Sequence, residues 1–166
     1  LCRKICEDVR GGNIAYNINK PYNYIGYSLA SHLGTVIIRT IIYITIGILL
    51  GYIFLGSFPN LNILSIIAIL LTSILATIIS TLLIISIGLF SFFIEDANPF
   101  YWLYSKLILV AGTIFPIEYF PNGIQPILQM SPIYVVCYGP AKLFVDFSWT
   151  NFTSVFIAQL IYIIIS

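Results

Sequence analysis

Charge is scarce in this sequence: seven Lys or Arg and six Asp or Glu among 166 residues, 8% in all, where soluble domains carry about a quarter. A chain so poor in charge cannot cover a globular surface with hydrated side chains, which excludes an ordinary soluble domain. Histidine occurs once and cysteine three times. His32 has no His, Cys or Glu at ligand spacing, so no metal site is expected. Cys2 and Cys6 fall in a segment assigned below to the cytosol, where thiols stay reduced, and no disulfide is expected. The signatures G-x-S-x-G and H-E-x-x-H are missing, as are paired acids within the apolar runs, which leaves catalysis without residues to carry it. No G-x-x-x-x-G-K-[ST] is present to cradle nucleotide phosphates. The chain is therefore expected to hold no cofactor, and ATP, if used, must sit on another subunit. No nucleic-acid partner is expected.

What the sequence has in abundance is apolar length: 60% hydrophobic residues and a mean hydropathy of +1.02. Several uncharged runs reach the 18 or so residues needed to cross a hydrocarbon core about 30 Å thick. The expected fold is all-α, a polytopic transmembrane helical bundle with an N-terminal cytoplasmic or interfacial helix and short, broken helices at the outer leaflet. Spans are expected at 35–55, 61–94, 100–116 and 148–166, with 1–34 as cytoplasmic loop and interfacial helix and 117–147 as outer short helices. Arg3, Lys4, Arg10, Lys20 and Arg39 all precede the core of the first span, which places that end in the cytoplasm. No signal peptide is legible, and both ends are expected to be cut from a longer protein.

Residues 1–20, "LCRKICEDVRGGNIAYNINK", read as a polar helix end and a turn. From Pro21 a helix carrying Tyr22, Tyr24 and Tyr27 either lies along the interface or extends straight into the first span. The loop "GSFPNLN" lies outside, and "EDANP" returns the chain in the cytoplasm, with Asn98 as cap and Pro99 in a first helical turn. Beyond residue 116 the prolines and glycines accumulate. Asn122-Gly123, Ser131-Pro132 and Gly139-Pro140 read as stops and starts between pieces about 10 Å long, none able to cross. Broken backbone at membrane depth is tolerated where protein or a water-filled cavity satisfies it, so such breaks often flank a transport pathway. An apolar external loop resting on the bilayer is the alternative.

The stretches "GNIAYNINKPYNYIGYSLASHLG" and "FSFFIEDANPFYWLYSKLILVAGTIFPIEYFPNGIQPILQMSPIYVVCYGPAKLFV" resemble the ABC-2 family of ABC transporter permeases. The elements that carry the resemblance are G-x-I-x-x-x-I-x-K-P, the step from Pro116 to Phe120-Pro121, and Ser131-Pro132 followed by Gly139-Pro140-Ala141. The resemblance implies six spans, of which this chain holds the third to sixth, in a bacterial cytoplasmic membrane. It implies a separate ABC ATPase subunit docked on residues 1–20, with Glu7, Asp8, Arg10 and Gly11 as candidate contacts, and a second permease subunit, identical or different. It also implies an outer gate after the fifth span, with Pro116, Glu118, Pro121, Pro132, Gly139 and Pro140 as candidates. An ion-coupled secondary transporter and a membrane-embedded lipid-modifying enzyme are the competing readings. Both call for acids or histidines clustered inside the spans.

Overall fold

A computed structural model describes residues 1–55, 62–94, 96–114 and 117–165. Every regular element among them is helical. The first, α1 (Cys2–Arg10), forms because Cys2, Ile5, Cys6 and Val9 recur at i, i+3, i+4 and i+7, an apolar stripe on one helical face. Cys2, Ile5 and Cys6 are buried, while Arg3, Lys4, Glu7 and Arg10 stay exposed on the other side. Gly12 turns the chain into α2 (Asn13–Ile18) with φ +71°, the left-handed region, where a side chain would cost about 1–2 kcal/mol.

The interfacial helix and the first span are one continuous helix, α3 (Tyr24–Leu55), of 32 residues, about 48 Å long. No proline interrupts it, and the Asn23 side chain caps its start by accepting the Gly26 N–H at 3.0 Å. Most of α3 is exposed. Beside it an apolar cleft of about 620 Å³, with Gly47 and Gly51 on one wall and Ile66, Leu70 and Phe144 on the other, separates it from the remaining helices.

The core forms around α4 (Ile63–Leu89), which continues into a short 3-10 turn at Phe90–Phe92. Its buried positions include Ser65, Ala68, Thr72 and Ala76, a small-residue stripe of the kind that lets membrane helices approach closely without a hydrophobic driving force. The hydroxyls of Thr72, Ser73, Thr77, Thr81 and Ser86 each donate to a carbonyl one turn earlier, at 2.7 to 3.2 Å. These polar side chains are thereby satisfied within their own helix. With α3, α4 is one of two helices among the described residues long and apolar enough to cross a membrane.

After the turn at Asp96, α5 (Asn98–Leu109) rises and widens into a π turn at Val110–Ile114. Asn98 was the expected cap, but it is Asp96 that serves: its Oδ1 accepts the Asn98 backbone N–H at 3.0 Å. Its position two residues before Asn98 puts the carboxylate level with the first free N–H groups of the helix. A 3-10 turn at Ile117–Tyr119 and α6 (Gln125–Gln129) follow. The chain then runs as one helix from 132 to 145, a π turn at Tyr134–Tyr138 passing directly into α7 (Gly139–Val145). It ends in α8 (Trp149–Ile165). Ile69, Ile79, Ile117, Tyr134, Val135, Leu143 and Val155 form the buried apolar core where these elements meet.

Candidate coupling and gate sites

At the end of the bundle where the chain begins, α1 is fastened to α3, α4 and α5 at once. Its apolar face seats on α4 at Gly88, where a Cβ would lie 3.1 Å from Ile5 Cδ1 and 3.5 Å from the Cys2 backbone. A side chain there would have to push the Ile5 methyl aside by a few tenths of an ångström, so glycine makes the approach the easier one. Cys2 and Cys6 are buried beside Ala97, with Ile84, Ile87 and Tyr101 of α4 and α5 packed around them. Their sulfurs are 3.9 Å apart and both thiols are free. Burial, and then the neighbouring Cys6, push the Cys2 thiol up to about 12, so it is an inert core group at neutral pH.

The polar edges of α1 make the other two fastenings. Asp8 Oδ2 accepts the Tyr24 hydroxyl at 2.5 Å, joining α1 to the start of α3. Arg10 Nη1 lies 3.3 Å from Asp96 Oδ2, joining α1 to the turn between α4 and α5. The Asn98 backbone N–H, and with it the Asn98 side chain and Arg10, hold the Asp96 carboxyl below its usual range.

The four residues singled out in this segment thus have different positions. Glu7 is exposed, Asp8 is half-buried and bonded to Tyr24, and Arg10, itself exposed, is paired with Asp96. Gly11 is right-handed and bonds the Glu7 carbonyl at 2.9 Å. The glycine whose backbone demands it is Gly12.

At the opposite end, three contacts register α8 against the helix 132–145. Tyr162 Oη donates to the Met130 carbonyl at 2.5 Å, Gln159 Nε2 to the Val135 carbonyl at 3.1 Å, and a Cβ on Gly139 would sit 3.0 Å from Val155 Cγ2. As one number falls the other rises, so the two helices form an antiparallel hairpin with its tip near Asp146. Gln159 also donates to the Thr72 carbonyl at 3.0 Å. Thr72 stands about 24 Å along α4 from Gly88, at 1.5 Å per residue. The hairpin therefore packs on the half of α4 remote from α1.

Gly139-Pro140 was expected to end one helix and begin another. The chain instead passes through it in a π turn, because Gly139 N–H bonds the Tyr134 carbonyl five residues back. This register leaves the Val135 carbonyl in need of a donor. Its α-helical partner, Gly139 N–H, is taken, and its π partner would be Pro140, which has no N–H. Gln159, buried in α8, supplies the missing hydrogen. Sequence reasoning missed Gln159, although an amide within an otherwise apolar run is the available signal.

Of the gate candidates, Pro132, Gly139 and Pro140 come together on this hairpin, the latter two buried. Gly112, in the π turn after α5, packs against it from the side, where a Cβ would meet Cys137 Cβ at 3.0 Å. Pro121 is apart from them, exposed in a turn where its carbonyl accepts the Ile124 N–H at 2.8 Å. Pro116 lies outside the described residues, and of Glu118 the backbone alone is described, in the turn Ile117–Tyr119.

A helical membrane protein with a fastened polar segment at one end and a hairpin at the other defines the class. The chain belongs to the ABC-2 family: the family model described as "ABC-2 family transporter protein" matches residues 1–166. No curated protein and no solved structure matches it.

Proposed function

We propose that the chain is the membrane-spanning permease subunit of an ATP-driven exporter in a bacterial cytoplasmic membrane. A separate ABC ATPase subunit docks on the α1–α2 segment, and a second permease subunit, identical or different, completes the pathway. ATP is bound and hydrolysed by the partner, and this chain carries no chemistry and no cofactor of its own. The observation that carries the reading is the three-way fastening of α1 to α3 through Asp8–Tyr24, to α4 through Ile5–Gly88 and to the α4–α5 turn through Arg10–Asp96. A push delivered to the exposed side of α1 reaches three spans in one step. At the far end, the hairpin of 132–145 and α8, with Pro132, Gly139 and Pro140, acts as the outer gate.

Glu7 and the exposed face of α2 are the ATPase contacts, while Asp8 and Arg10 pass the motion inward. The test is co-expression with an ABC ATPase from the same genome. Glu7→Lys should reduce co-purification of the ATPase while the permease still inserts and elutes as a single species. Undiminished capture by Glu7→Lys and by a variant with Tyr16 and Ile18 changed to Ser would remove the assignment of this surface.

A further inference from the structure

The helix 132–145 has two halves whose sequences fix its register unequally. In α7 the sides differ sharply: Leu143 is buried in the core, Lys142 before it is half-buried, and Phe144 after it is exposed. Turning α7 by one residue would carry the Lys142 ammonium into the place of Leu143, at a cost that holds this half fixed. From Ile133 to Cys137 the chain is uncharged and apolar on every side, with the Tyr134 ring in the core, so burial alone does not choose which residue faces inward. The π turn in this half has room because Gly112 lacks a side chain: a Cβ there would stand 3.0 Å from Cys137 Cβ and 3.2 Å from Ile133 Cγ2.

Hydrogen bonding makes the choice, and Pro140 sets its terms. As observed, Gly139 N–H bonds the Tyr134 carbonyl, and the open Val135 carbonyl is answered by Gln159. In an α-helical register Gly139 N–H returns to Val135, and the carbonyl opposite the missing N–H of Pro140 becomes that of Val136. Each register thus leaves one carbonyl open, the two being adjacent in the chain, and the Gln159 amide decides which is satisfied. The observed register is itself not fully satisfied. Gln159 is completely buried, and its Oε1 accepts no hydrogen bond among the described residues, a cost that narrows the gap to the alternative.

We propose that Gln159 is a latch that selects between two registers of residues 133–138, and that α6 is the part that swings when the register changes. A π turn holds one residue more than the α turn that replaces it, so the change rotates the preceding chain by about 100° relative to α7. That chain leads back into α6, whose burial offers little resistance: Ile127 is 70% exposed, and Met130 at its end 74%. The bond from Tyr162 Oη to the Met130 carbonyl is broken by the swing. In its gating role this inference rests on the reading of the hairpin as outer gate. A shift of α8 that takes Gln159 away from Val135 releases α6 as the flap.

The test is the distance between spin labels at Ile127→Cys on α6 and Asp146→Cys at the hairpin tip, measured by double electron–electron resonance in nanodiscs in the Cys137→Ala background. Gln159→Leu should raise the share of a second distance about fivefold, the change that one interhelical hydrogen bond makes. Deleting Val136 removes the extra residue of the π turn, so that variant should show the main distance alone, with or without Gln159. If the deletion fails to fold, Pro140→Ala carries the test. Its new N–H answers the open carbonyl in either register, and Gln159→Leu should then shift nothing. An unchanged distribution in Gln159→Leu would overturn the proposal, as would an equal shift in the Pro140→Ala background. The gate reading fails separately: with an ABC ATPase from the same genome assembled on the protein, ATP should shift the same ratio. A ratio that answers Gln159→Leu and not ATP would keep the register switch and remove the gate.

Discussion

Gln159 Nε2 donates to the Val135 carbonyl at 3.1 Å and to the Thr72 carbonyl at 3.0 Å, so one buried amide ties α8 to α4 and to the hairpin helix. The Val135 carbonyl needs that donor because the π turn and Pro140 between them remove its backbone partners. Gln159→Leu, similar in size and apolar, should therefore lower stability by about 1–2 kcal/mol, the range for interhelical hydrogen bonds within membranes. Unfolding by SDS titration in mixed micelles measures it. Pro140→Ala restores a backbone N–H, so the same Leu substitution should cost less in that background. Equal costs in both backgrounds would break the link between Pro140 and Gln159.

Gly139 and Val155 make a steric prediction of the same hairpin. A Cβ at 139 would lie 3.0 and 3.1 Å from the two Val155 methyls and 3.3 Å from the Tyr134 carbonyl. Gly139→Ala should destabilise by about 1–3 kcal/mol through overpacking. Val155→Ala should recover most of that loss in the double variant, although alone it is destabilising. A purely additive pair in thermal unfolding would show that the two positions do not touch.

The Arg10–Asp96 pair is more than a third exposed on both sides, at 60% and 41%. An ion pair so open to water contributes at most about 1 kcal/mol, so breaking it should leave the fold intact and show in transport. Arg10→Glu should uncouple ATP hydrolysis by the assembled complex from transport, and Arg10→Glu/Asp96→Arg should restore coupling. Failure of the swap to restore it, with both proteins assembled, would mean that Arg10 acts elsewhere.

The buried Cys2 thiol gives a pH dependence. Burial raises the Cys2 thiol to about 12, so the folded state favours the protonated form. The stability this contributes is fully present below the thiol's unfolded value, about 8.5, and is lost as pH rises towards 12. In a Cys137→Ala background, maleimide at pH 8 should modify the buried Cys2 and Cys6 at least a hundredfold more slowly than an exposed cysteine, about a quarter of which is thiolate at that pH. Rapid labelling would show that α1 is not seated on α4.

The apolar runs made the long helices and the all-α membrane fold legible, because hydrocarbon admits little else. Residues 1–20 were harder to read. Their charges suggested a solvated helix end, while the stripe of Cys2, Ile5, Cys6 and Val9 that seats α1 was present at helical spacing but short. Prolines and glycines marked the hairpin, yet Gly139-Pro140 read as a break, since sequence spacing cannot distinguish a helix end from a π turn whose open carbonyl is satisfied by a side chain 24 positions later. Gly11 and Gly12 were likewise alike in sequence, and only the backbone angles separate them.

The central claim is that α1 and the hairpin tip lie on opposite faces of the membrane, α1 inside and the tip outside. The direct measurement is side-specific labelling in the Cys137→Ala background, with a membrane-impermeant maleimide applied to intact cells and to inverted vesicles. Glu7→Cys should label in inverted vesicles alone and Asp146→Cys in intact cells alone. Labelling of both positions from the same side would contradict the account.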